Sequence, residues 1–192
     1  MEFYEVLEKR RTYRDFSDRE VSDEILNRVI GAAFKAPTND HLRQFEFVVV
    51  RGQENIVKVI APLAKNMAAF KKLVAEVDES GDEDKMAMFA DALPKQQKML
   101  MESGLLIIPF FRQLTCPLLK PTEQSSLNYF ASAWCAVENM LLAATAEGLG
   151  AVFHIPVADE AKQIKELVHA PEGYEFACLL TIGYPAEGAF LP

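Results

Sequence analysis

Apolar residues along the chain recur at helical spacing in some stretches and form unbroken runs in others. Residues 2–9 place Phe3, Val6 and Leu7 on one helical face. Ile25, Leu26, Val29, Ile30, Ala33 and Phe34 repeat the pattern and predict a helix over 23–35. Ser22 is its expected N-cap, Asp23 and Glu24 stand in its first turn, and Pro37 stops it. FEFVVV at 45–50 reads as a strand, rich in β-branched and aromatic residues. Residues 53–77 read as one or two helices with a break at Pro62. The acidic stretch 78–85 reads as a loop, and 86–102 as a helix interrupted at Pro94.

GLLIIPFF at 104–111 predicts a buried strand, with Pro109 placing it at a sheet edge or marking its end. An irregular connection follows over 112–124. Residues 127–147 form the strongest element, a helix apolar nearly all round apart from Ser132, Glu138 and Asn139. Such a helix is central, lies at a subunit interface, or both. Gly148 is its expected C′ stop. A short strand at 151–155, a helix at 159–168 and a last buried strand at 175–183 complete the chain. Helices and strands alternate without a βαβ rhythm, and neither repeat nor linker is present. The expectation is therefore one α+β domain over 1–192.

Composition narrows the function classes. The 192 residues carry 20 basic and 28 acidic side chains, a net charge of −8. Such a chain repels nucleic acid and anionic membranes, so neither is expected as a partner. The longest apolar run, Leu105–Phe111, is too short to span a bilayer. The opening MEFYEVLEKRR is no signal peptide, which predicts a cytoplasmic protein. Cys116, Cys135 and Cys178 are widely spaced in apolar surroundings and read as buried free thiols. The acids of 78–85 do not make a calcium loop: Gly81 is misplaced, and Phe89 stands where the last carboxylate ligand would be. No GxSxG, HExxH or CxxC motif occurs. The turn after the long helix lacks the third glycine of a dinucleotide fingerprint. His169 reads as a helix-end residue.

Three segments carry positive signals. Lys9-Arg10-Arg11-Thr12-Tyr13-Arg14 sets four cations and a hydroxyl just after a helix. That set suits phosphate oxygens, or simply the end of a helix dipole. Ala36 to Phe45 is a polar loop running into a strand, which suits a ligand site or an ordinary connection. Gly148-Leu-Gly150 to Pro156 is a tight turn after the buried helix, or a plain helix stop.

In this order and spacing, the three segments resemble the FMN-dependent nitroreductase family. Arg10-Arg11-Thr12-Tyr13-Arg14-Asp15-Phe16 is similar to its opening RRSxRxF-like motif. Ala36-Pro37-Thr38 through Phe45-Glu46-Phe47 is similar to its second, APSxxNxQPWxF-like motif. The GLG turn and the strand ending Gly183-Tyr184-Pro185-Ala186-Glu187 are similar to its third. The resemblance implies a nitroreductase-like fold, a mixed sheet flanked by helices around a long buried central helix, in a homodimer with FMN at the interface. It implies that Arg10, Arg11, Thr12 and Arg14 hold the phosphate, ribityl chain and pyrimidine edge. It puts Pro37, Thr38, Asn39 and His41 against the partner's flavin, with Ser132 on the helix at a flavin-contacting position. The main chain of Phe153, His154, Ile155 and Pro156 would line the ring. No side chain need be catalytic, because the flavin carries the chemistry: NADH or NADPH would reduce it, then a nitroaromatic, quinone or similar acceptor would reoxidise it, in ping-pong order. A flavin-binding or sensing protein without turnover is the alternative. Here His41, Arg43, Gln44 and Phe45 replace the family's usual Asn, Gln, Pro and Trp. No cation follows Tyr184-Pro185 where a Lys or Arg usually meets the phosphate, so weaker FMN retention is expected.

Overall fold

The protein is described by a computed structural model covering residues 1–65, 83–113, 124–157 and 159–189. The expectations for 66–82, most of the 112–124 connection and Cys116 lie outside the described residues. Two short helices come first, α1 (Phe3–Lys9) and α2 (Asp23–Ala33). A 3-10 turn (Asn39–His41) leads into β1 (Phe45–Arg51) and α3 (Gln53–Lys65). Then come α4 (Glu83–Glu102), β2 (Leu105–Arg112), α5 (Gln124–Ala146) and β3 (Gly150–His154). The chain closes with α6 (Glu160–Leu167), β4 (Tyr174–Phe176) and β5 (Leu179–Gly183). The order β1-β2-β5-β3, with β4 also on β2, makes a five-stranded sheet whose ladders are antiparallel. This is the α+β architecture that the hydrophobic pattern predicts.

β2 is buried along seven of its eight residues because helices cover both faces of the sheet. Leu105, Ile107 and Phe111 face α2 and α5, joined by Val29, Ala33, Ala136, Val137 and Met140. Leu106, Ile108 and Phe110 face the opposite cluster of Ile56, Leu63, Met99, Leu100 and Ile164, drawn from α3, α4 and α6. Ser22 caps α2 as expected, its hydroxyl accepting from the Ile25 N–H at 3.4 Å. Gly148 ends α5 at φ 75°, and the Leu149 N–H closes the turn on the Ala144 carbonyl at 2.8 Å.

The prolines depart from expectation. Pro62 falls inside α3 rather than breaking it. The lost N–H removes one intrahelical bond, while Ile56, Val59, Ile60 and Leu63 stay buried and hold the helix in place. α4 is likewise one element from Glu83 to Glu102, undivided at position 94. Pro109 lies in the internal strand β2, not at an edge. Its carbonyl accepts from the Ala177 N–H at 3.0 Å, so its donor-less nitrogen faces the same side. There the expected strand 175–183 is interrupted at Ala177–Cys178, between β4 and β5. The proline and the break in the neighbouring strand accommodate one another.

The cysteine expectation holds in one described case. Cys178 is buried, and burial pushes its thiol up to about 12. Cys135 is instead exposed, because α5 presents a stripe of Ala131, Cys135 and Glu138 to the outside. No helix among the described residues is long and apolar enough to cross a membrane.

Candidate functional site

The residues after α1 form an extended strap along the outer edge of β3. Thr12 makes a parallel bridge to Ala151, and the Tyr13 N–H donates to the Ala151 carbonyl at 3.1 Å. The strap then crosses to the C-terminal motif. Phe16 bridges Pro185, the Ser17 N–H donates to the Tyr184 carbonyl at 2.9 Å, and the Ala186 N–H donates to the Asp15 carbonyl at 3.0 Å. Arg19 lies 3.8 Å over the Tyr184 ring, a cation–π contact that adds to the clasp. Gly150 makes the close approach possible: a Cβ there would stand 2.7 Å from Tyr13 Cβ. Thus the two glycines of the GLG turn differ in purpose. Gly148 stops a helix, and Gly150 admits the strap.

The strap presents its cations unequally. Arg10, Thr12 and Arg14 are half-buried, while Arg11 is exposed and its Nη1 donates to the Arg10 carbonyl at 2.8 Å. Asp15 turns toward α4, where Lys95 Nζ lies 2.6 Å and Lys98 Nζ 3.6 Å from its carboxylate. The Lys95 hydrogen bond, reinforced by both ammonium charges, holds the Asp15 carboxyl below the usual carboxylate range.

β3 sorts its side chains by alternation. Phe153 is 41% exposed and packs edge-on to Trp134 of α5 at 5.4 Å, and Ile155 is 47% exposed. His154 points the other way and is buried, so only its main chain can reach the Phe153–Ile155 face. Its Nε2 lies 3.1 Å from Oε2 of the fully buried Glu160, and its Nδ1 meets the Gln96 side-chain amide at 2.8 Å. Oε2 of Glu160 also accepts from the Val157 N–H at 2.8 Å. Neither Glu160 nor Gln96 stands out in the sequence, where Glu160 reads as an ordinary first-turn acid. The available signal was the alternation itself: a histidine on an inward position calls for a buried partner.

The second segment reaches α5. The Asn39 N–H donates to Ser132 Oγ at 3.0 Å, and Ser132 Oγ–H donates to the Asn128 carbonyl at 2.7 Å. Asn128 Nδ2 donates to Asn39 Oδ1 at 3.1 Å. Ser132 therefore spends its hydroxyl on tying the loop to the helix. Asp40, His41 and Arg43 adopt φ values of 49°, 57° and 48°, the left-handed region that ordinary side chains avoid. Strain of that kind concentrates where a loop must hold a particular shape. Pro37, Thr38 and His41 line a hollow of about 470 Å³ with Phe34, Lys35, Ala36 and Arg43. A larger hollow of about 580 Å³ lies apart from the sequence-predicted residues. Asp18, Glu20, Asp23 and Glu102 outnumber Arg51 in its lining, a balance that disfavours anions.

The structure thus joins the first and third segments directly and ties the second to α5, whose Trp134 meets Phe153. No group of His, Cys, Asp and Glu among the described residues could hold a metal ion. A sequence model of the Nitroreductase family matches residues 7–184. An iodotyrosine deiodinase of Haliscomenobacter hydrossis is 27% identical over 191 residues, covering 100% of this chain and 82% of that protein. The fold is similar to an oxidised iodotyrosine deiodinase bound to FMN and 3-iodo-L-tyrosine, with a TM-score of 0.73 at 20% identity, over 97% of this chain and 91% of that one. It is also similar to an FMN-dependent nitroreductase from Clostridium difficile R20291, with a TM-score of 0.67 at 23% identity, over 96% of this chain and 90% of that one. With the family match spanning nearly the whole chain, and with the three segments assembled around β3 and α5, the chain belongs to the nitroreductase family.

Proposed function

We propose that this protein is an FMN-dependent oxidoreductase that passes electrons from NADH or NADPH to a small acceptor in ping-pong order. The observation that carries the reading is the strap. It brings the half-buried Arg10, Thr12 and Arg14 alongside β3, where Phe153 and Ile155 expose apolar surface. This donor set fits a phosphorylated flavin. Arginines form charge-assisted, forked bonds to phosphate and to the pyrimidine oxygens, and the Thr12 hydroxyl adds one more. The apolar residues suit one face of a flat ring.

When bound, FMN supplies the hydride and electron chemistry, and the protein supplies position, charge and exclusion of water. Arg10 and Thr12 would hold the phosphate end. Arg14 would stand by the pyrimidine edge, where a cation favours the reduced, anionic ring. Arg11, folded onto the Arg10 carbonyl, would shape that main chain rather than contribute its charge. The main chain of Phe153–Pro156 would face the ring, and the His154 imidazole would lie behind it. Pro37, Thr38, Asn39 and His41 would reach the flavin of a second subunit. Exposed Phe3, Tyr4 and Leu7 on α1, with Phe153 and Ile155, offer the apolar area that a homodimer would cover.

The test is a visible spectrum of the purified protein before and after FMN is added and the excess removed. Retained flavin bands that bleach with NADH or NADPH, and return with a nitroaromatic, a quinone or 3-iodo-L-tyrosine, are the expected result. The halotyrosine belongs in the panel because matched relatives carry the deiodinase name. Retained bands that neither donor bleaches would replace this reading with flavin binding without turnover. No retained flavin would overturn both.

A further inference from the structure

A fully buried carboxylate is costly unless every lone pair it turns inward is used. Glu160 has 0% exposure, and it stands at the first residue of α6, six positions after His154. Its Oε2 meets two partners across that interval, the His154 ring at 3.1 Å and the Val157 N–H at 2.8 Å. His154, 4% exposed, is anchored on its other side by Gln96 of α4 at 2.8 Å. One carboxylate thus closes the turn between β3 and α6, and one imidazole ties that turn to a helix distant in sequence. Isoleucine or leucine at these positions would fill the core without a desolvation cost, and would leave the Val157 N–H without its acceptor. The polar set is explained by what it holds. The same contacts hold the segment Phe153–Val157, where Phe153, Ile155 and Val157 are exposed at 36–47% while the imidazole is buried.

We infer that Glu160, acting through His154 and the Val157 N–H, is the positioning residue of the Phe153–Val157 segment, and that it sets the main-chain surface offered to the flavin ring. The inference rests on the reading of this segment as ring-facing. Glu160 touches no ligand. It fixes the backbone that does, and it places a carboxylate–imidazole pair behind that backbone, where a change of charge reaches the ring's reduction potential.

Glu160→Gln and Glu160→Ala separate the two elements of the inference. Glutamine keeps an acceptor oxygen and the shape and removes the charge; alanine removes both. Hydrogen–deuterium exchange on the apo-protein reads the turn itself. In Glu160→Ala the Val157 amide should exchange about tenfold faster or more, with β2 unchanged, and Glu160→Gln should restore most of that protection. Fluorescence titration with FMN should then give a dissociation constant about tenfold weaker in Glu160→Ala. The flavin midpoint potential should shift in Glu160→Gln even where affinity is kept. Unchanged exchange at Val157 overturns the positioning role. Faster exchange with unchanged FMN affinity and potential overturns the link to the flavin. If wild-type protein binds no FMN, the proposed function fails, yet exchange at Val157 still decides whether Glu160 holds the turn. Should Glu160→Ala not fold, Glu160→Gln and His154→Gln carry the same comparison, His154→Gln being expected to loosen the turn and weaken FMN binding.

Discussion

The two faces of the sheet are built differently. The face carrying Leu106, Ile108 and Phe110 is closed within the chain by α3, α4 and α6. Two of its buried polar groups, His154 and Glu160, satisfy one another, while the Thr181 hydroxyl, level with Leu106 and Val152, finds no hydrogen-bond partner among the described residues. The face carrying Leu105, Ile107 and Phe111 is covered by α2 and α5, but its surroundings stay open. α5 exposes Cys135, α1 exposes Phe3, Tyr4 and Leu7, and the strained loop of Asp40 to Arg43 stands against the same helix. One face is a finished core. The other is a core with an unfinished outer surface, and the strap with its arginines runs beside it. Apart from Glu160 and His154, which reach the Phe153–Val157 main chain from the closed face, stability and ligand recognition should therefore separate by face, and substitutions can test whether they do.

The largest effect is expected on the closed face. Leu106 is fully buried, and Leu106→Ala should cost about 3 kcal/mol, lowering Tm by roughly 6–12 °C. The FMN dissociation constant of the folded protein, read by fluorescence, should stay within about twofold. A matching loss of affinity would break the separation. Arg10→Ala is the converse. Removing a charge-assisted partner should weaken FMN binding about ten- to a hundredfold, while apo-protein stability in urea changes by about 0.5 kcal/mol or less.

A smaller, intermediate effect belongs to Ser132, where face and loop meet. Ser132→Ala leaves the Asn39 N–H without its acceptor, at a cost of about 1 kcal/mol in urea unfolding. Faster hydrogen exchange should be confined to the loop of residues 38–43. Exchange spreading through α5 would mean that the loop braces the helix rather than the reverse.

These contrasts also mark what was legible in the sequence. Elements with one dominant period were found with shifted ends: 23–35 against Asp23–Ala33, and 127–147 against Gln124–Ala146. Features that depend on a neighbour in space were not. Pro109 argues for an edge when read alone, and only the interruption at Ala177–Cys178 lets an internal strand tolerate it. Pro62 argues for a helix break until Ile60 and Leu63 are seen to be buried beside it. The cationic segment was visible as a cluster, whereas its attachment to Ala151 through the small Gly150 is a tertiary fact. The resemblance sets His154 among the residues lining the flavin through its main chain. Its side chain belongs to the closed face, because alternation along β3 assigns neighbours to opposite sides.

Asp15 bridges the two halves of this comparison, since it leaves the strap and bonds to Lys95 of α4 at 2.6 Å. Its carboxyl is held below the ordinary value of 3.8, chiefly by the Lys95 hydrogen bond. A lowered carboxyl contributes stability that is fully present above the unfolded value and is lost as pH falls through the folded one. Wild type should therefore exceed Asp15→Asn by about 1 kcal/mol at pH 7, and the gap should narrow below about pH 4. Urea unfolding at pH 7, 5, 4 and 3 measures it. Salt at about 1 M should shrink the gap at pH 7, because both partners remain partly exposed. A gap that persists undiminished at pH 3 would mean that Asp15 acts through shape rather than charge. The strap would then be held by its main-chain bonds to β3 and by Phe16, which is buried in the closed face, without help from the Asp15 charge.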